Sequence, residues 1–147
     1  MLKLYDFMTG GFDHAGRTHA YVCEQSDDWI ESTHDFIQWL FPLEEETRKS
    51  ELIPILSKQE IGLIKKSELA QNSLRISASR MRRFWSKNQH WVTNHDHNHL
   101  RITRCIKSLR LLVSNEEAQQ MKIWLSSVLG PNAKLISKVS LDYWREA

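Results

Sequence analysis

The sequence predicts an all-α fold: an antiparallel helical bundle or array of about five helices with an irregular N-terminal segment. Three observations carry this. Four stretches return apolar residues every three or four positions, two of them follow a hydroxyl-to-carboxylate capping spacing, and no stretch alternates apolar and polar residues for the length of a strand.

At 147 residues, one hydrophobic core forms comfortably and two are difficult, so a single domain spanning 1–147 is expected. Hydrophobic residues make up 41% and charged residues 26%, a balance that suits a core-forming chain rather than a disordered or fibrous one. The apolar run at residues 36–41 is interrupted by Gln38 and stops at Pro42, far short of the ~20 residues a membrane span needs. The first residues lack the apolar stretch and small-residue site of a secretory leader, so a cytoplasmic location is expected. Cys23 and Cys105 are far apart and form no CxxC pair; free thiols are expected.

The net charge of +2 hides an uneven distribution. Residues 1–56 hold 4 Lys/Arg against 11 Asp/Glu, whereas residues 57–113 hold 12 against 3. The basic middle could bind phosphate or nucleic acid, or the acidic N-terminal part could fold against it and neutralise it. Neutralisation is the reading we prefer.

Residues 1–25 place Gly10, Gly11 and Gly16 among polar residues, which predicts turns, with a short strand at residues 20–23. From Asp27, the residues Trp29, Ile30, Thr33, Phe36, Ile37, Leu40 and Phe41 share one side of a helix that Pro42 stops. Ser26 or Asp27 caps its start. Residues 42–56, with Pro42, Pro54 and the run Glu44-Glu45-Glu46, read as an exposed connection. Ser57 and Glu60 have the capping-box spacing, so a long helix is expected from there to about Lys87, burying Leu63, Ala70, Leu74, Ala78, Met81 and Trp85.

Residues 88–99 form a polar, histidine-rich loop in this reading. A third helix then carries Ile102, Cys105, Ile106, Leu109, Leu112 and Val113 inward, with Arg104, Lys107 and Arg110 pointing away and Arg101 at the boundary. Ser114 and Glu117 cap a fourth helix that buries Ala118, Met121, Trp124, Leu125, Val128 and Leu129 and ends at Gly130-Pro131. A last helix over residues 140–146 is anchored by Tyr143 and Trp144.

The tract His34-Asp35-Phe36-Ile37-Gln38-Trp39-Leu40-Phe41-Pro42-Leu43 resembles the signature of the opioid growth factor receptor conserved region. Residues 97–109, beginning His97-Asn98-His99-Leu100-Arg101-Ile102-Thr103-Arg104, are similar to a second segment of that family. Asp13-His14-Ala15-Gly16-Arg17 resembles its N-terminal turn, and Ser140-Leu141-Asp142-Tyr143 its last helix. His99, Cys105 and Arg110 depart from the pattern, the first where the family often has a second asparagine. The resemblance implies a short stand-alone conserved region, in a family whose name denotes in animals a receptor for an opioid peptide of the enkephalin type, associated with nucleus and membrane fractions.

Several groups could carry chemistry. His95, His97 and His99 alternate, with His90 and Asp96 nearby, and could hold zinc or nickel, but the spacing is no established metal motif. We expect no metal and no cofactor, with Asn98 or His97 instead bonding the first N–H groups of the third helix. Trp39 falls outside the apolar stripe of its helix, so it either packs on a second layer or walls a ligand pocket; packing is preferred. Asp13, His14 and Arg17 read as an Asp/Arg-braced turn or as catalytic groups. No nucleophile motif, phosphate-cradling glycine loop or paired-carboxylate spacing calls for an enzyme. Arg75, Arg80, Arg82, Arg83, Arg101, Arg104 and Lys107 suggest nucleic acid, although they spread around two helices.

The function expected is that of a small ligand- or peptide-binding domain. Its alternative is a nucleic-acid or anion-binding accessory protein using residues 75–110, and a metal-dependent enzyme comes third. The candidate ligand residues are Asp13, His14, Arg17, His34, Gln38, Trp39, His97, Asn98, Arg101 and Arg104. They are expected to meet in one polar cleft, suited through its arginines to a carboxylate or phosphate such as a peptide C-terminus, or else to form a buried network that fixes the N-terminal loop.

Overall fold

In the computed structural model, which describes residues 2–45 and 53–147, helices form where capping side chains and apolar stripes coincide. They are α1 (Lys3–Met8), α2 (His19–Cys23), α3 (Asp27–Ser32), α4 (Ile37–Leu40), α5 (Lys58–Lys66), α6 (Glu68–Lys87), α7 (Asn98–Leu112), α8 (Asn115–Leu129) and α9 (Lys138–Glu146). Short 3-10 turns follow α6 at Gln89–Trp91 and α8 at Gly130–Leu135. Among the described residues there is no strand; the extended pairing they contain is an isolated bridge between Phe12 and Thr18. Among the described residues no helix is long and apolar enough to cross a membrane. The chain divides into two compact units, Met1–Arg80 and Met81–Ala147.

In the N-terminal unit, Ser57 and Glu60 form the expected capping box. The same Glu60 carboxylate accepts the N–H groups of Leu4 and Tyr5 at 2.9 and 3.1 Å, so one buried anion holds the starts of α1 and α5 together. Around it Leu4, Phe7, Phe36, Trp39, Leu40, Ile64, Ala70 and Leu74 are buried, each large side chain contributing roughly 1.5–3 kcal/mol. On α6, Ser73 and Ser77 are buried too, donating to the Met8 and Ser73 carbonyls.

Four expectations are corrected here. Residues 20–23 are not a strand: Thr18 caps Tyr21, and α2 forms. The helix expected over residues 27–41 starts as foreseen with Ser26 capping Trp29, but it breaks after Ser32. Thr33 turns extended (ψ 133), which frees Asp35 to reach groups outside the helix. The connection at 42–56 is not wholly exposed: Pro42 and Leu43 are buried, and the Leu43 carbonyl accepts the Leu56 N–H at 2.9 Å. Glu44 and Glu45 are exposed as read, while Glu46 lies outside the described residues. The long helix from Ser57 is two helices, because Ser67 is extended (ψ 116) and its hydroxyl caps the Ala70 N–H at 3.1 Å. Gln71 then serves the freed Ile64 carbonyl, and Leu63 is only half-buried.

In the C-terminal unit α7 packs on α8 and α9. Its stripe of Ile102, Cys105, Ile106, Leu109 and Leu112 is buried as expected, with Val113 half-buried. Arg101 and Arg104 are buried as well, at 6% and 8% exposure. The expectation that Arg104 points away is therefore wrong: a helix with neighbours on more than one side buries more than a single stripe. Ser114 caps α8 through the Glu117 N–H, Gly130 ends it with φ 49, a conformation that favours glycine, and Trp124 and Val128 are half-buried. Trp144 anchors α9, whereas Tyr143 is 49% exposed and anchors nothing.

The polar part of α7 is built around His99. Its Nε2 lies 2.8 Å from the Trp91 carbonyl, which only accepts, so Nε2 carries the proton and Nδ1 accepts from the Ser140 hydroxyl at 2.8 Å. The start of the helix is held by Asp96, whose carboxylate accepts the Asn98 N–H and whose carbonyl accepts the His99 N–H. His97, at the N-cap, makes no side-chain capping bond, contrary to one of the two expectations.

Candidate functional site

The turn at residues 13–17 is organised by Asp13, whose side chain is fully buried. Its Oδ1 accepts the N–H groups of Ala15 and Arg17, both at 2.9 Å, and its Oδ2 accepts Arg17 Nε at 2.7 Å. Gly16 holds φ 75, which L side chains rarely adopt. From this turn Arg17 Nη2 donates to Asp35 Oδ1 at 3.1 Å, and the guanidinium lies 5.4 Å from the Trp29 ring centroid.

Asp35 binds a second side chain of the turn: its Oδ2 is 2.9 Å from His14 Nε2. Burial pushes the Asp35 carboxyl up, but the bonds from Arg17 and His14 more than offset this and hold it below the usual carboxylate range. The opposite face of the His14 environment is Trp39, stacked on it at 5.8 Å and 15°. Trp39 also meets Phe7 edge-on at 5.5 Å and is 2% exposed. It packs on the N-terminal segment, and it also lines a cleft.

That cleft, of about 640 Å³, is lined by Lys3, Asp6, Thr9, Gly11, Phe12, Asp13, His14 and Trp39. Gly11 is there because nothing larger fits: a Cβ would lie 2.8 Å from the Asp6 carbonyl oxygen. Two lining side chains carry buried polar atoms without a protein partner, Trp39 Nε1 and His14 Nδ1. Because carboxylates only accept, the bond to Asp35 places a proton on His14 Nε2, and the neutral ring keeps a lone pair on Nδ1. The two residues thus hold one unused donor and one unused acceptor, both buried, a costly arrangement in a packed interior.

Of the residues expected to line a polar cleft, Asp13, His14, Arg17 and Trp39 converge in the N-terminal unit. Gln38 is half-buried beside Trp39, its Oε1 buried and without a protein partner, and His34 is exposed. Arg17 lends the cleft no free cation, because Asp13 and Asp35 take it up.

The other four lie in the C-terminal unit. Asn98 accepts from Trp85 Nε1 at 3.1 Å and donates to Asp96 at 3.0 Å, which is a packing role. Arg101 and Arg104 are buried on α7, and His97 is exposed beside Asp96. A second cleft of about 430 Å³ there is lined by His95, Asp96, His97, His99, Leu100, Thr103, Ser137, Val139, Ser140 and Tyr143. His95 and His97 are exposed and His99 is committed to Ser140 and Trp91. Among the described residues no three His, Cys, Asp or Glu side chains group to hold a metal ion.

Sequence reasoning missed Lys3, Asp6, Thr9 and Phe12, which sit in and after α1, a stretch read as irregular. It also left out Asp35, although its place in the 34–43 tract was the available signal. The basic residues are dispersed by burial: Arg80 bonds the Cys23 and Gln25 carbonyls and Asp27, Arg82 and Lys107 are half-buried, and Arg75 and Arg83 are exposed.

Residues 17–89 match the family described as the opioid growth factor receptor (OGFr) conserved region. The matched span includes Arg17 and the 34–43 tract and ends before the 97–109 tract. No curated protein and no solved structure matches the chain.

Proposed function

Through residues 17–89 the chain belongs to the opioid growth factor receptor conserved-region family, and from that premise we propose that its N-terminal unit binds a short peptide or similar small ligand in the cleft walled by His14 and Trp39. The observation that carries this reading is a cleft of about 640 Å³ whose lining includes the stacked rings of His14 and Trp39. The rim supports the same reading: Phe12 is 64% exposed there and offers a flat apolar surface, while Lys3 and Asp6 place one charge of each sign beside it. A volume of this size accommodates a ligand of a few residues.

The test is a thermal-shift screen of short peptides, repeated on Trp39→Phe. A ligand of the cleft stabilises the wild-type protein by about 2.7 kcal/mol when present at about 100 times its Kd. The shift is expected to shrink or vanish in Trp39→Phe, which keeps an aromatic ring but shortens the wall of the cleft. Peptides whose stabilisation is unchanged by that substitution would place binding elsewhere.

A further inference from the structure

We infer that the second cleft, in the C-terminal unit, is a docking groove for a short acidic segment of another protein, anchored there by two or three apolar side chains. The inference does not rest on the reading of the N-terminal cleft. Leu100 of α7 is 65% exposed, Val139 and Tyr143 of α9 are 61% and 49% exposed, and all three line this one cleft of about 430 Å³. Two helices whose other apolar side chains are packed inside thus meet with three left in water, a patch that is stabilised when a partner covers it. The polar lining is largely spent within the unit: His99 is held by Ser140 and Trp91, Thr103 donates to the His99 carbonyl, and Ser137 caps α9. What the groove offers a partner is therefore apolar surface, with the exposed rings of His95 and His97 at its edge.

The size of the patch and the charge around it select the occupant. Three partly exposed side chains offer on the order of a few hundred Å², whereas each partner of a stable dimer buries about 800 Å². A short segment matches that footprint and a second copy of the chain does not. The unit that carries the groove, residues 81–147, holds 11 Lys/Arg against 5 Asp/Glu. Its acids near the groove are already engaged: Asp96 Oδ1 accepts the Asn98 N–H and side-chain amide, and Asp142 is paired with Lys138 and Arg145, both at 2.8 Å. Lys138, next to Val139, still projects into solvent. Carboxylates flanking the apolar anchors of a partner thus meet a unit of opposite sign. A nucleic-acid backbone fits less well, because it needs a row of accessible cations and Arg101 and Arg104 are buried.

The probe is a library of random twelve-residue peptides displayed on phage, selected on the full chain and counter-selected on the double variant Leu100→Ser/Val139→Ser. Both side chains are exposed, so this variant is expected to melt within ~2 °C of wild type; Tyr143→Ser provides a second groove variant of the same kind. Sequences that distinguish the two proteins are expected to carry two or more large apolar residues flanked by Asp or Glu. In fluorescence anisotropy on the full chain, such a peptide is expected to bind about tenfold or more weakly to either groove variant, and to lose as much when its carboxylates are replaced by amides. Ile123→Ser, at an exposed position of α8 outside the groove, is expected to leave binding unchanged. The inference is overturned if no sequence distinguishes wild type from the groove variants, or if those that do are basic or uncharged. It is overturned equally if a twelve-nucleotide single strand binds the groove more tightly than the selected peptides, or if sedimentation shows a dimer that the groove variants dissolve.

Discussion

His14 Nε2 lies 2.9 Å from Asp35 Oδ2, and Asp35 also accepts from Arg17 at 3.1 Å, so one carboxylate fixes both the ring that faces the cleft and the arginine that braces the turn. Its pKa is held below the ordinary range, burial working against the two bonds and losing to them. A depressed folded-state pKa gives stability that is present above the unfolded value, about 3.9, and is lost as pH falls through the folded value. Asp35→Asn lacks this ionisation. Urea midpoints measured from pH 7 down to 2 are expected to show wild type ahead at neutral pH and the gap closing below about pH 4. A gap independent of pH would mean that Asp35 acts by packing alone.

The same substitution reaches the cleft. An asparagine that keeps its carbonyl toward Arg17 turns its NH2 toward His14, which then must accept at Nε2 and carry its proton on Nδ1. Asp35→Asn is therefore expected to reverse the His14 tautomer in ring-nitrogen spectra. An unchanged tautomer would remove Asp35 from control of the site.

Glu60 serves two helix starts, accepting from Leu4, Tyr5 and Ser57 while 3% exposed. Glu60→Ala strands these donors and is expected to cost about 3 kcal/mol or more in urea unfolding. Glu60→Gln, which keeps one acceptor oxygen, should cost less. A loss under 1 kcal/mol for the alanine variant would show that water replaces the carboxylate at both helix starts.

Much of this arrangement was legible where the cause is local. Ser26, Ser57 and Ser114 cap the helices they precede, and Gly130 ends α8, because a cap depends on three or four neighbouring residues. The breaks at Thr33 and Ser67 were not legible, since periodicity continues through both. At Thr33 the compensation comes from Arg17 and His14, far away in sequence, which bind the released Asp35. At Ser67 the clue was local and overlooked: a serine followed by glutamate is itself a helix start.

Burial of Arg101 and Arg104 escaped the reading for another reason, as one stripe cannot reveal how many neighbours α7 has. In the site, the Asp13–Arg17 brace could be read from its spacing, whereas the stack of His14 on Trp39 exists only once α4 and the turn have docked.

His99 joins three elements, bonding Ser140 of α9 and the Trp91 carbonyl and meeting the Trp144 ring edge-on at 5.2 Å. His99→Ala removes both bonds and the ring contact, leaving the Trp91 carbonyl with only the Thr93 N–H and the Ser140 hydroxyl proton without its acceptor. A loss of about 3 kcal/mol is expected, with a changed near-UV signal from the tryptophans around it. The unit would have to relax around the gap for the loss to fall below 1 kcal/mol.

Two glycines with ordinary negative φ separate backbone crowding from helix propensity. A Cβ on Gly11 would sit 2.8 Å from the Asp6 carbonyl oxygen and 3.0 Å from its carbon, and backbone cannot swing aside as a side chain does. The Gly11 N–H donates to that same carbonyl at 2.7 Å, so relieving the clash also breaks the bond. Gly11→Ala is expected to cost about 1–3 kcal/mol and, by parting the end of α1 from the turn, to weaken any ligand bound between them. Gly62 is exposed within α5, and a Cβ there meets nothing within 4 Å. Gly62→Ala is expected to stabilise by about 0.5–1 kcal/mol, since alanine loses less backbone freedom on entering a helix. Opposite signs for one chemical change, read as urea midpoints, would locate the difference in the Asp6 contact. Equal effects would refute the tight approach that shapes the floor of the cleft.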